Sequence, residues 1–318
     1  MLINEILTII KSSQKIIISS HTMPDGDCIG SSLALYIALK GMGKDAYIIL
    51  DDDIPEQYKF LPHCQEILHP ESFQSNDSDL FIIVDNNNIE RLGMSKKLFP
   101  GAKKTVCIDH HPSDNFFCDF NYIDTNASAA AELIYMIIKS LSINIDADIA
   151  NCLLTGIITD TGGYKFDNVT PYTFIISSDL LACGAEIRKI NEIVFDKVSF
   201  SKIRLLSMVL STVQVAEGGR IGYIYLDENM LKESSASRSD SEGFINYVKN
   251  IDGVEIALLF KIERDCVRVS FRSKEYVDVN RIAAKFGGGG HKKASGCVID
   301  KDYESVKNSV LDECRRNL

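Results

Sequence analysis

The sequence predicts an α/β protein of two domains, a large parallel-sheet domain followed by a smaller mixed-sheet one. Three observations carry this prediction. Short β-branched runs alternate with helical stretches from Lys15 to Phe195, the pattern that builds a parallel sheet with helices on its faces. From Val213 onward the chain changes to short strands joined by tight turns. Its 318 residues are enough for one large core and one smaller one.

Taken in order, residues 1–11 mix apolar positions with Asn4, Glu5 and Thr8. They lack a basic leader region and a small-residue cleavage site, so they read as an amphipathic helix and not as a signal peptide. Residues 15–19 form a β-branched run of buried-strand length, and a Pro-Asp-Gly turn leads into a helical pattern over 28–39. Residues 46–50, 80–84 and 105–108 give further short apolar strands. Helices are expected over 127–141, 146–158, 171–183, 185–195 and 199–210. The first domain is placed at 1–195, a helical connector at 196–212 and the second domain at 213–318. In the second, strands are expected at 212–216, 221–226, 254–262 and 267–272, with Glu217-Gly218-Gly219 as a hairpin signal. Helices fall at 241–250, 279–285 and 303–314.

Composition narrows the function. Hydrophobic residues at 45% and charged residues at 25% are the balance of an ordinary globular protein and argue against disorder. The nine cysteines form no Cys-x-x-Cys pair, which points to a reducing cytoplasm and away from a thiolate zinc site. No apolar run approaches the roughly 18 residues of a membrane span, so no membrane partner is expected. A net charge of −10 disfavours long duplex nucleic acid, which needs a basic surface. Residues 261–293 run against this trend, with nine positive side chains against four negative.

Four acidic clusters each follow a short apolar run: His21-Thr22-Met23-Pro24-Asp25-Gly26-Asp27, Asp85, Asp109-His110-His111-Pro112, and Thr159-Asp160-Thr161-Gly162-Gly163. In a parallel sheet, function gathers at the carboxyl ends of the strands. Mixed carboxylate and imidazole donors without thiolate suit Mn²⁺, Fe²⁺, Co²⁺ or Zn²⁺ better than Ca²⁺ or a structural zinc. Asp25 and Asp27, two apart on a sharp turn, can serve neighbouring ions about 3.5–4 Å apart. Each cluster alone has a plainer explanation: Asp27 as a helix cap, His110 as a core histidine, Asp160 to Gly163 as a helix exit. Together, the four point to two metal ions. In the basic segment, Gly287-Gly288-Gly289-Gly290-His291-Lys292-Lys293 is either a flexible loop or backbone that a phosphate can approach closely. Arg272 is either a solvated charge or a bidentate fork for a terminal phosphate.

These motifs resemble the DHH phosphoesterase superfamily, subfamily 1, over nearly the whole chain. The resembling stretches are His21-x-x-Pro24-Asp25-Gly26-Asp27-x-x-Gly30-Ser31, Val84-Asp85, Asp109-His110-His111-Pro112, Gly156 to Gly163, and Gly287-Gly288-Gly289-Gly290-His291-x-x-Ala294-Ser295-Gly296. Order, spacing and size are most similar to the bacterial bifunctional oligoribonuclease and pAp phosphatase group. The resemblance implies a parallel-sheet DHH domain and a mixed-sheet DHH-associated domain with the catalytic cleft between them. It implies that His21, Asp25 and Asp85 hold one divalent ion, and that Asp27, Asp85, His110 and Asp160 hold the other, with Asp85 bridging. His111 would contact the scissile phosphate, and Asp109 would orient a histidine from behind the ligands. Arg272, Gly288, Gly289, Gly290, His291 and Ser295 would bind the far end of the substrate. Many relatives carry an aspartate three residues after the bridging one, where this chain has Asn88.

The implied activity is hydrolysis of short oligoribonucleotides to mononucleotides, together with removal of the 3′-phosphate of pAp, by a hydroxide bridging two Mn²⁺ ions. Co²⁺ or Mg²⁺ stand as alternative metals. Linear or cyclic di-AMP is the alternative substrate, followed by inorganic pyrophosphate. A nucleotide-binding module without turnover is the alternative from another class. The expected partners are short single-stranded RNA and small nucleotides, with a homodimer left open.

Overall fold

A computed structural model describes residues 2–75, 77–112 and 116–318. The chain divides into two compact units, Met1–Lys197 and Val198–Leu318.

The first unit is built on a five-stranded sheet in the order β2-β1-β3-β4-β5, comprising β1 (Lys15–Ser19), β2 (Asp45–Ile48), β3 (Leu80–Val84), β4 (Thr105–Asp109) and β5 (Phe120–Ile123). Every pairing is parallel. All five residues of β3 and of β4 are buried, as expected of central parallel strands with both faces covered. On one face Ile16, Ile18, Ile82, Val84 and Ile108 join a core with α1 (Leu2–Ser12), α2 (Gly26–Gly41), α3 (Ala130–Ser140) and α4 (Ala147–Asp160). On the other, Ile17, Phe81, Ile83 and Cys107 pack with Leu92 and Leu98, which lie in a 3₁₀ segment over Ile89–Gly101. The period of two along each strand separates the two cores. Two further helices, α5 (Pro171–Ala182) and α6 (Ile187–Asn191), complete the unit.

This strand order reverses direction between β1 and β3. An open parallel sheet leaves a crevice at that point, beyond the carboxyl ends of its strands. Helices α2 and α4 meet closely beside it because glycines line their contact. A Cβ on Gly30 would lie 2.3 Å from the Cys152 carbonyl oxygen, and one on Gly156 would lie 2.7 Å from Asp27 Oδ1.

In the second unit α7 (Phe200–Leu210) buries Leu205 and Val209 in a core with Ile224, Val248 and Leu259. A six-stranded mixed sheet follows, in the order β10-β11-β9-β8-β7-β6. Its strands are β6 (Gln214–Ala216), β7 (Ile221–Leu226), β8 (Ile256–Ile262), β9 (Val267–Ser273), β10 (Gly289–His291) and β11 (Ala294–Ile299). Helices α8 (Glu228–Ser234) and α9 (Phe244–Lys249) precede β8; α10 (Val279–Ala284) and α11 (Tyr303–Arg316) come later. Residues on β8, β9, α10 and α11 share the opposite core, which includes Leu258, Phe271, Ile282 and Val310. The glycine run expected as a loop is instead a short antiparallel hairpin, β10 against β11.

Candidate metal centre

Each acidic cluster occupies a position set by the local fold. His21 lies two residues beyond β1, Asp85 directly follows β3, and Asp109 closes β4. Asp85 has φ +55°, a left-handed conformation that aspartate tolerates better than most residues. Its amide still donates to the Ile108 carbonyl at 2.9 Å, so the carboxylate is turned out of the strand while the ladder holds. Asp160 is the last residue of α4, and Asp25 and Asp27 open α2.

Helix capping divides differently from the sequence expectation. Asp25, not Asp27, caps α2, its Oδ1 accepting from the amides of Asp27 and Cys28 at 3.1 and 3.0 Å. Asp27 instead reaches α3, where its two oxygens accept from the amides of Ala130 and Ala131 at 2.6 and 2.9 Å. Those first-turn donors have no partner within their own helix, and the helix dipole favours a carboxylate there. Both aspartates are thereby fixed while keeping lone pairs to spare.

The side chains converge on Asp85. His21 Nε2 lies 3.5 Å from Asp85 Oδ2 and 3.8 Å from Asp25 Oδ2. His110 Nε2 lies 3.6 Å from Asp85 Oδ1, 3.4 Å from Asp160 Oδ2 and 3.9 Å from Asp27 Oδ2. The tautomers follow from the other ring nitrogens. His21 Nδ1 is 2.8 Å from the Thr22 carbonyl and His110 Nδ1 is 3.2 Å from the Ala127 carbonyl, so each donates its N–H there. Both Nε2 atoms face carboxylates. His110 Nε2 and Asp85 Oδ1 are buried without any hydrogen-bond partner among the described residues. A metal ion bound between them would satisfy both atoms. The separations are close to the roughly 3–3.5 Å between neighbouring ligands each about 2.1 Å from one ion.

Electrostatics points the same way. Burial first, then the carboxylates of Asp85, Asp160 and Asp25, push the Asp27 carboxyl well above the usual range. Burial and the nearby Asp25 and Asp109 do the same to Asp85. Burial raises Asp160 as well, against the lowering influence of His110. Among the described residues three groups could hold a metal ion: His21, Asp25 and Asp85; Asp27, His110 and Asp160, which Asp85 adjoins; and Asp85, Asp109, His110 and His111, the last of which shares Asp85 and His110 with the other two.

His111 stands apart from the buried histidines, with half of its side chain exposed. Asp109 fixes it. The Asp109 Oδ1 accepts from His111 Nδ1 at 2.9 Å and from the amides of His110 and His111 at 2.7 and 3.1 Å. That bond to Asp109 raises the His111 pKa. Sequence reasoning missed Asn87, whose Nδ2 donates to the carbonyls of His111 and Pro112, each at 3.1 Å. The signal available was a run of three asparagines after a buried strand. Asn88 accepts from the Glu90 amide and caps the 3₁₀ segment.

In the second unit, Arg272 pairs with Ala294, which in turn pairs with His291. Paired residues share a face, so arginine and histidine stand about two strand spacings apart, roughly 9–10 Å, with an alanine between them. Gly289 and Gly296 form the parallel row on the same face. A Cβ on Gly289 would meet only Asn280 Oδ1, in ordinary contact at 3.8 Å, whereas one on Gly288 would strike the Gly296 carbonyl oxygen at 2.2 Å, so Gly288 serves packing. Gly290 has φ +145°. Ser295 belongs to the opposite face, paired with Phe271, and its hydroxyl donates to the His291 carbonyl at 2.8 Å. The structure thus brings Arg272, Gly289 and His291 together, but turns Ser295 away from them.

Residues 15–157 match the DHH family N-terminal domain, and residues 218–318 match the DHHA1 domain. The chain is 32% identical over 309 residues to a Thermus thermophilus protein named bifunctional oligoribonuclease and PAP phosphatase NrnA, covering 95% of this chain and 90% of that one. The chain belongs to the DHH family. A Bacillus subtilis protein of the same name is 26% identical, with 93% of this chain and 92% of that one covered. The fold also matches the crystal structure of an exopolyphosphatase-related protein from Bacteroides fragilis, with a TM-score of 0.89 and 28% identity over 99% of this chain and 95% of that one. This DHH-family chain combines the N-terminal and DHHA1 domains in one polypeptide, as a parallel sheet followed by a mixed sheet.

Proposed function

We propose that this protein is a metal-dependent phosphoesterase that hydrolyses short oligoribonucleotides to mononucleotides and removes the 3′-phosphate of pAp. The observation that carries this is the convergence of His21, Asp25, Asp27, His110 and Asp160 on Asp85, with His110 Nε2 and Asp85 Oδ1 buried and without hydrogen-bond partners among the described residues. The relatives named oligoribonuclease and PAP phosphatase supply the substrate class.

His21, Asp25 and Asp85 would hold one divalent ion and Asp27, Asp85, His110 and Asp160 the other, with Mn²⁺ the first choice and Co²⁺ or Mg²⁺ as substitutes. When bound, two such ions supply Lewis acidity at the phosphoryl group and activate the attacking water. The chain's own residues do the rest. The Thr22 and Ala127 carbonyls hold the two ligand imidazoles in the tautomer that presents Nε2. His111, held through Nδ1 by Asp109, presents its half-exposed ring to the phosphate and offsets the charge that develops there. Arg272 and His291, on the open face lined by Gly289, grip the far end of the substrate. One small basic patch on an acidic protein suits substrates of a few nucleotides better than long polyanions. Nine free thiols fit a reducing cytoplasm.

The test is a Mn²⁺ activity panel with a 5′-labelled dinucleotide, a pentanucleotide, pAp, cyclic di-AMP and pyrophosphate. Turnover of the first three ahead of the others is expected. Preference for cyclic di-AMP would replace this function with the second-messenger one. Sedimentation of the same preparation decides between monomer and homodimer.

A further inference from the structure

The loop that follows Asp160 is held more tightly, and presents more aromatic surface, than the placing of one carboxylate requires. Gly162, Gly163 and Tyr164 are three consecutive residues in the left-handed region, at φ 56°, 69° and 66°. Glycine adopts that conformation freely, but a tyrosine there persists only when its surroundings fix it. Here they do. The Tyr164 ring stacks on Phe174 with centroids 5.3 Å apart and 19° between planes, and its hydroxyl donates to Ser177 Oγ at 2.9 Å. The amides of Lys165 and Phe166 both donate to the Thr161 carbonyl, at 2.9 and 3.1 Å. Asn168 Nδ2 closes the loop by donating to the carbonyl of Asp160 itself at 3.1 Å.

What this fixed loop presents is Phe166, 59% exposed. The far end of its ring occupies the place a Gly162 side chain would take, since a Cβ there would lie 2.4–2.7 Å from the ring carbons. A lone exposed phenylalanine is ordinary. One mounted on a strained loop that these hydrogen bonds tie down, next to a candidate metal ligand, is held in a fixed place. Its neighbours Lys165 and Asp167 are also exposed and offset one another's charge, so the ring is what the loop offers a ligand.

Resting on the short-RNA function above, we propose that Phe166 is the stacking platform for the nucleobase of the nucleotide whose phosphate lies at the metal centre. Every base offers a π face, so a stacking phenylalanine binds nucleotides without reading their sequence. That property suits an enzyme acting on short RNA of any composition. A phosphate-only ligand gains nothing from the ring.

The chain contains no tryptophan, so Phe166→Trp creates a single fluorescent reporter at this position. With the Mn²⁺-loaded variant, AMP should quench that fluorescence saturably, and ribose 5-phosphate, identical but for the base, should not. In parallel, Phe166→Ala should raise KM for a 5′-phosphorylated dinucleotide roughly 5- to 150-fold, the ratio for losing one base–aromatic stack. It should spare kcat, and leave kcat/KM unchanged for the same dinucleotide carrying abasic riboses. Equal losses on both substrates, an unchanged KM for the dinucleotide, or equal quenching by ribose 5-phosphate would overturn the assignment. So would dissociation of a dimer on Phe166→Ala with KM unaltered, since the exposed Phe174 and Ile175 offer a surface for a second copy. If the wild-type protein fails to cleave the dinucleotide, the short-RNA function falls, while AMP against ribose 5-phosphate still decides the role of Phe166.

Discussion

The two units handle charge in opposite ways. In the first, Asp27, Asp85 and Asp109 are almost completely buried, repel one another and meet no cationic side chain among the described residues within 4 Å except histidine. In the second, Arg272 and His291 stand on an open strand face between an alanine and glycines. Buried charges of one sign are tolerable only where a cation compensates them, and burial then makes every interaction with that cation stronger. Arg272 is only half-buried and His291 is exposed, so a ligand held there as proposed would stay partly solvated. Under the proposed function, chemistry and grip would lie in different dielectrics.

The comparison breaks most visibly at Asp85. Asp85→Ala should abolish hydrolysis of every substrate in the panel, beyond the roughly hundredfold to thousandfold cost of deleting one stabilising donor. Near-normal turnover by the variant with Mn²⁺ would show that the buried cluster is not the reaction centre. Arg272→Ala should act on one term only. KM for short RNA should rise roughly 10- to 100-fold, as for loss of a charge-assisted hydrogen bond, with a small generic phosphodiester spared. Equal damage to both substrates would remove the anchoring role. Asp109→Asn should lower kcat by roughly 10- to 100-fold, the usual cost of removing a partner behind an active-site histidine. Steady-state kinetics on the dinucleotide measures it, and an unchanged kcat would detach Asp109 from His111 function.

The smallest expected effect concerns stability without metal. Asp27 and Asp85 have carboxyl groups raised by burial and by neighbouring carboxylates, so the folded chain keeps protons that the unfolded chain has already released. Stability of chelator-treated protein should consequently fall as pH rises above the ordinary carboxylate range near 4. His111 acts in the same direction, because its raised pKa gives stabilisation that is complete below the ordinary histidine value and lost above the folded one. Melting curves between pH 5 and 8 should show the decline, and Mn²⁺ should remove it. A flat profile without metal would mean that the cluster tolerates its own charge.

How much of this was legible in the sequence depended on where the stabilising contacts lie. β3 and β4 are continuous apolar runs because both faces are covered, and the candidate ligands announce themselves by following such runs. β5 was missed because Phe120-Asn121-Tyr122-Ile123 is a short, half-buried edge strand without clear alternation. β10 was hidden by its glycines, which have low strand propensity and pair only because β11 is held against β9. The capping of α3 by Asp27, the Ala127 carbonyl behind His110 and the Asn87 clasp are tertiary contacts, and no local pattern encodes them.

The central claim is that two ions share Asp85. Counting Mn²⁺ bound per chain after equilibrium dialysis, for wild type and Asp85→Ala, tests it directly. Two ions per wild-type chain and fewer than one in the variant are predicted. One ion in the wild type, or two retained by Asp85→Ala, would contradict it.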